Sequence, residues 1–190
     1  MITELIRGFI LLAIFTAIVG GAYPLAVTGI AQFAMPSQAN GSLIEKDGQV
    51  VGSELIGQNF ADPKYFWPRP SAAGANGYDG ASSSGSNYGP SSAKLLAAVT
   101  DKAKAVSEAS EGRKAPIDLV TSSGSGLDPH ISPLSAYLQV VRISKFRGLR
   151  EEDVRSVVQA NLEQRSLGLF GEPRVNVLKM NLALDALPPR

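Results

Sequence analysis

The sequence predicts a mixed α/β extracytoplasmic domain carried on a single N-terminal transmembrane helix. Residues 9–35, FILLAIFTAIVGGAYPLAVTGIAQFAM, run for 27 positions without a charged side chain, and about 20 apolar residues suffice to cross the hydrocarbon core as a helix. Beyond them, hairpin, helix and strand signals are mixed along the chain, which places the remainder in the α/β class. Charge is balanced: 18 Lys and Arg stand against 17 Asp and Glu, and only Arg7 and Glu4 precede Gly41. No run of five like charges occurs, so the sequence lacks the footprint of a nucleic-acid binder.

At about 1.5 Å per residue the apolar run would cover roughly 40 Å, so tilt or an interfacial extension is expected. Thr16, Thr28 and Gln32 are its polar members. Pro24 lacks an N–H and clashes with the carbonyl four residues back, at Gly20, which predicts a kink near Gly20–Pro24. Gly20 and Gly21 also allow a second helix to approach closely. A cleaved signal peptide, cut after Ala22, is the competing reading. The basic segment before it is weak, with Arg7 set against Glu4, and the apolar run continues through Leu25, Val27, Ile30 and Phe33. Both features favour a retained span. Arg7 sits just before the run, and the next basic residue, Lys46, lies eleven positions past Met35. The positive-inside bias therefore places residues 1–8 in the cytoplasm and 36–190 outside. The absence of cysteine is compatible with an oxidising compartment.

Ser42–Val51 reads as a hairpin turning at Asp47-Gly48. Tyr65-Phe66-Trp67, interrupted by Pro63, Pro68 and Pro70, cannot be a central strand; a satellite core, a docking surface and an interfacial anchor all fit it. Residues 71–92 are mostly Gly, Ser, Ala and Asn. Such a segment is costly to order, so it is either a flexible insertion or a long loop held against a partner. Ser91 or Ser92 caps a helix through Ser110, with Leu95, Leu96, Val99, Ala103 and Val106 on one stripe. Pro116–Val120 is expected to be a short strand. Ser132-Pro133 starts a helix over Leu134–Phe146 that Gly148 ends. A further helix starts near Arg150, with Glu151, Glu152 and Asp153 in its first turn and Val154, Val157, Val158 and Leu162 buried. Arg174–Asn181 has the period-two pattern of a strand, and Leu182–Leu187 can turn helical.

Chemistry is sparse. Ser123, Gly124, Ser125 and Gly126 lie in a Gly/Ser-rich loop, Thr121–His130, whose amides could form an anion nest. The lysine of a phosphate loop is missing. His130 is the sole histidine, with Asp128 and Ser122, Ser123, Ser125 and Ser132 nearby in sequence. These residue types could build a hydrolytic triad, though a turn or cap role fits them as well. With no cysteine and no carboxylates at calcium-loop spacing, no metal site is expected.

Several longer words in a fixed order carry a resemblance: GGAYP at 20–24, QANGSL at 38–43, GSELIGQNF at 52–60 and RPSA at 69–72. DLVT at 118–121, SGLD at 125–128, ISP at 131–133, VNV at 175–177 and NLALD at 181–185 follow. Together, over nearly all 190 residues, the chain resembles KdpC, the single-span accessory subunit of the bacterial potassium-transporting P-type ATPase.

The resemblance implies membership of an inner-membrane complex, with the amino end cytoplasmic. The implied partners are a potassium channel-like subunit, a catalytic subunit that hydrolyses ATP through an aspartyl phosphate, a small one-helix peptide and the lipid bilayer. ATP and Mg belong to the catalytic partner, and this chain is expected to have no chemistry, metal or nucleic acid of its own. The implied role is assembly or stabilisation of the pump. The alternative is a catalytic chaperone that raises ATP affinity through a transient shared nucleotide site, which would fall on Ser123, Gly124, Ser125 and Gly126. Of the shared words, Asn59 and Arg69 are expected to hold the Gly/Ser-rich loop against the domain body, and Asp128 to cap the turn before Ser132. The chain looks different from other members around Tyr78–Tyr88 and at His130.

Overall fold

A computed structural model describes residues 1–188; positions 189 and 190 of the expected domain lie outside the described residues. The chain forms two compact units, Met1–Ser53 and Glu54 onward.

In the first unit, α1 (Ile2–Ala17) and α2 (Tyr23–Ala34) are joined by a π-helical turn, Ile18–Ala22. The helical run Ile2–Ala34 is 33 residues long, and none of its most apolar stretch is buried. The proline explains the turn. Pro24 has no N–H to give, and Tyr23 N–H reaches back to the Ile18 carbonyl, five residues away, so the wider turn eases the chain into the proline. At Gly21 a Cβ would meet nothing within 4 Å, leaving a bare strip of backbone. The short helix α3 (Pro36–Ala39) follows, and Gln32 exchanges two side-chain amide bonds with Asn40, each 3.2 Å. The expected hairpin is present: β1 (Leu43–Lys46) pairs antiparallel with β2 (Gln49–Ser53). Asp47 and Gly48 both have positive φ, 53° and 75°, as a two-residue turn matched to strand twist requires.

The second unit is built around α5 (Pro133–Arg147). Ser132 caps it through a bond from Ser135 N–H, and Gly148 closes it at φ 66°. α6 (Glu151–Ala160) packs beside it and buries Val154, Val157 and Val158. Arg150, a poor capping residue, instead pairs with Asp153 at 2.7 Å. A three-stranded antiparallel sheet has the order β3 (His130–Ile131), β5 (Arg174–Asn176), β4 (Leu162–Glu163). In register, Ile131 and Leu162 flank Val175. α4 (Ala93–Glu108) follows the Gly/Ser-rich stretch. Of its expected stripe, Val106 is buried whereas Leu96 is 70% exposed.

Two expectations are corrected. Pro116–Val120 is not a strand but a single 3₁₀ turn, Ile117–Leu119. Asp118 turns its carboxylate to the start of α5 and accepts from Ser132 N–H at 2.7 Å and from Ser135 Oγ at 2.5 Å. The strand expected over Arg174–Asn181 stops at Asn176, and α7 (Val177–Asp185) begins there. Asn176 is the reason: its side chain accepts from Lys179 N–H at 3.1 Å and caps the helix, the local competition that Asn offers to extended backbone.

The aromatic segment 63–68 is part of the core. Phe66 and Pro68 are buried, and its backbone finds partners in side chains. Asn181 accepts from Phe66 N–H at 2.9 Å and donates to the Phe66 carbonyl at 3.0 Å. Gln139 does the same for Trp67, at 2.8 and 3.2 Å. Arg142 donates to the carbonyls of Pro63 and Tyr65 and stacks on the Trp67 ring, 3.8 Å from its centroid. Burial lowers the Arg142 guanidinium to about 10, which leaves it charged at neutral pH. Replacing Asn181, 1% exposed, by alanine strands two buried backbone groups at a cost of about 3 kcal/mol. The full-length chain in detergent should lose roughly 6–12 °C in Tm; an unchanged melting curve would refute this role.

Candidate functional site

The residues singled out for function converge where two glycine-bearing loops meet. One loop is 69–87, the other 122–128. Ser71 is the hub: its hydroxyl donates to the Gly126 carbonyl at 2.6 Å and accepts from the amides of Tyr78 and Ala73, at 2.8 and 3.2 Å. The Ser125 carbonyl accepts from Ser84 N–H at 2.9 Å and from Ser83 Oγ at 3.0 Å. Ala73 is fully buried between them.

This packing explains the glycines. A Cβ on Gly126 would lie 2.5 Å from the Ser84 carbonyl oxygen and 2.7 Å from Ala73 N, and its φ is +68°. A Cβ on Gly85 would lie 2.9 Å from the Gly124 carbonyl oxygen. Gly57, from the 52–60 word, donates its N–H to the Leu127 carbonyl at 2.7 Å, and a Cβ there would meet the Asp128 carbonyl oxygen at 2.8 Å. Absence of a side chain lets backbone approach backbone at all three places.

Charge locks the clasp. Arg69 Nη1 donates to Asp128 Oδ2 at 2.8 Å, and the Arg69 carbonyl accepts from the Tyr78 hydroxyl. Burial pushes that phenol up to about 12. Burial by itself would raise the Asp128 carboxyl, but bonds from His130 and Arg69 hold it down at about 2. Asp128 Oδ1 accepts from His130 N–H at 3.0 Å. Asp128 therefore caps the turn before Ser132 through His130 N–H, and the amide of Ser132 itself is held by Asp118. Arg69 fills its expected role. Asn59 is exposed, at the lip of a groove of about 220 Å³ that Arg69 and Tyr78 also line.

The four residues of the nucleotide proposal divide by burial. Ser123 and Gly126 are buried in the clasp; Gly124 and Ser125 are exposed at its surface. Gly126 N–H is directed to the Ser123 carbonyl at 3.3 Å, and Leu127 N–H to Ser125 Oγ at 3.1 Å. The His130 imidazole lies between two carboxylates, 3.5 Å from Asp128 and 3.7 Å from Glu163. The hydroxyl of Ser132, the nearest serine in sequence, donates to Ser135 instead. Among the described residues no group of three His, Cys, Asp or Glu is placed to hold a metal. What the arrangement does is mechanical: it orders a stretch whose composition alone would leave it loose.

The family model of KdpC, described as the c chain of the K⁺-transporting ATPase, matches residues 5–186. The chain belongs to the KdpC family. The potassium-transporting ATPase KdpC subunit of Methylococcus capsulatus is 52% identical over 189 residues, covering 98% of this chain and all of its own length. Those of Polaromonas naphthalenivorans and Caulobacter vibrioides are 54% and 53% identical, covering 95% and 100% of this chain and 93% and 96% of their own. Membership in the KdpC family extends over both units, the apolar helix included.

Two predictions follow from the clasp. Gly126→Ala should destabilise the chain by 2 kcal/mol or more, roughly the cost of forced overpacking and of a positive φ, whereas Gly124→Ala, with nothing within 4 Å of its Cβ, should stay within about 0.5 kcal/mol. Equal effects in thermal melts would refute the packing account. Because the folded carboxyl of Asp128 titrates near 2 and an unfolded one near 3.9, its stabilisation is complete above about pH 4 and is lost as pH falls toward 2. Asp128→Asn should flatten that part of the stability–pH curve; a profile that keeps its slope would assign the acid sensitivity elsewhere.

Proposed function

We infer that the chain is a non-catalytic accessory subunit of an ATP-driven potassium uptake pump in the bacterial inner membrane, where it holds the channel-like and ATP-hydrolysing subunits, with a small one-helix peptide, in a working assembly. The observation that carries this reading is the helix Ile2–Ala34, 33 residues long with an apolar stretch that buries nothing within the chain. Such a surface needs lipid and protein to cover it, and the bare strip at Gly20–Gly21 beside the π-turn suits a neighbouring helix. The relatives named as subunits of a potassium-transporting ATPase supply the kind of neighbour.

An orientation is supported by Glu4 and Arg7 being the only charged residues before Glu45. The positive-inside bias favours a cytoplasmic amino end and an outer domain. About 30 Å of hydrocarbon would then separate the Ser123–Gly126 loop from nucleotide bound in the cytoplasm. Under this reading the glycines of that loop serve close packing against residues 69–87, and any gain in the pump's ATP affinity is indirect. Stabilising one pump conformation by about 1–3 kcal/mol would change an apparent affinity roughly 5- to 150-fold.

The chain has no cysteine, so Lys94→Cys on the exposed side of α4 supplies a single thiol. In right-side-out membrane vesicles carrying the whole pump, a membrane-impermeant maleimide should label it without permeabilisation. Labelling confined to inside-out vesicles would overturn the docking reading and favour a shared nucleotide site.

A further inference from the structure

We propose that the tip of the β4–β5 connection, Leu167–Phe170, is a plug by which the second unit seats in an apolar pocket on another subunit of the same pump. Within four residues it displays Leu167, Leu169 and Phe170 at 93%, 71% and 63% exposure. No other four-residue stretch after Ser53 carries three exposed large apolar side chains among the described residues. The tip is built and not frayed: Ser166 and Phe170 exchange both backbone bonds, each 2.9 Å, and Leu169 N–H closes a turn on the Ser166 carbonyl at 3.1 Å. Its mount is β5, whose Val175 and Asn176 are buried in the sheet.

The turn residue is informative. Leu167 and Gly168, the two central positions, have φ of 56° and 72°, and two positive φ values call for Asn-Gly or Asp-Gly. A leucine there is held in a conformation that bulky side chains avoid, with its side chain almost wholly in water. The fold gains nothing from this choice. An apolar contact outside the chain accounts for it.

Charge distinguishes the kind of partner. Segments that bind anionic lipid surfaces carry free Lys or Arg beside their apolar residues. Here both flanking arginines are neutralised, Arg165 by Glu172 at 2.7 Å and Arg174 by Glu163 at 2.9 Å. An apolar centre ringed by satisfied ion pairs is the anatomy of a protein–protein contact. The assignment to a pump subunit rests on the docking reading given above.

The test uses the intact pump in its native membrane. With p-benzoylphenylalanine at position 169, irradiation should give a covalent adduct of this chain with another pump subunit, identified by mass spectrometry of the purified complex. Adducts with lipid alone, with a second copy of this chain, or none, would overturn the proposal. Leu167→Asn relieves the turn and removes the apolar contact, so the purified chain should melt no lower than the parent while its recovery with the detergent-solubilised pump falls about tenfold. Undiminished recovery would also overturn it. If the parent chain assembles and is labelled from outside while the tip gives no subunit adduct, the plug alone fails. If the parent chain does not co-purify with any pump subunit, the docking reading fails and the plug with it.

Discussion

The second unit depends on a stretch of backbone that cannot hydrogen-bond in the usual ways. Three prolines between positions 63 and 70 bar residues 63–68 from helix and from a central strand, yet Phe66 lies in the middle of the core. A buried amide without a partner costs as much as a lost hydrogen bond. Gln139 and Asn181 meet that demand by presenting a carbonyl and an amide in the order a neighbouring strand would. Because Gln139 is on α5 and Asn181 on α7, satisfying this one segment fixes both helices against it. Arg142, stacked on Trp67, adds a charge with carbonyl partners, and its Nε has none. Polar side chains thus occupy core positions where an apolar choice would pack more simply, and they specify a single arrangement.

A second device of the same type orders the Gly/Ser-rich stretch. Apart from Ala73 and Tyr78, residues 71–87 bury little apolar area, and their order comes from hydroxyls and carbonyls meeting those of 122–128, from the close approaches at Gly85 and Gly126, and from the Arg69–Asp128 pair. Each neutral hydrogen bond among these is worth only about 0.5–1.5 kcal/mol, and one to a charged group about 1.5–3. Only their concentration in one place offsets the chain entropy. The serines and glycines that resemble an anion cradle are mostly consumed in this way, so composition that suggests ligand chemistry serves packing between loops.

The first unit is organised differently. Its helix hides no side chain within the chain, and the feature that breaks its regularity, the π-turn before Pro24, contains Gly20 and Gly21 and no charged residue. The helix is built for surroundings that the chain does not itself provide. The exposed leucines and phenylalanine at 167–170 share that character at the surface of the second unit. In both, apolar surface is displayed where folding does not call for it.

Patterns that act over a few residues were legible in the sequence. The uncharged run, the Asp47-Gly48 turn, the Ser132-Pro133 start and Gly148 stop of α5, and the three valines of α6 are each set by chemistry within one turn or one hairpin, and the shared words identified the family. Tertiary structure decided the rest. Pro116–Val120 and Arg174–Asn181 carry alternating apolar residues that a strand and a buried helix turn use equally well, and the capping carboxylate of Asp118 and amide of Asn176 selected between them. The partners of the clasp, and the capping of the start of α5 by Asp118, required residues more than a dozen positions apart to meet. Sequence records which groups are available for hydrogen bonding over such distances, whereas only the packed chain determines which of them come within 3 Å.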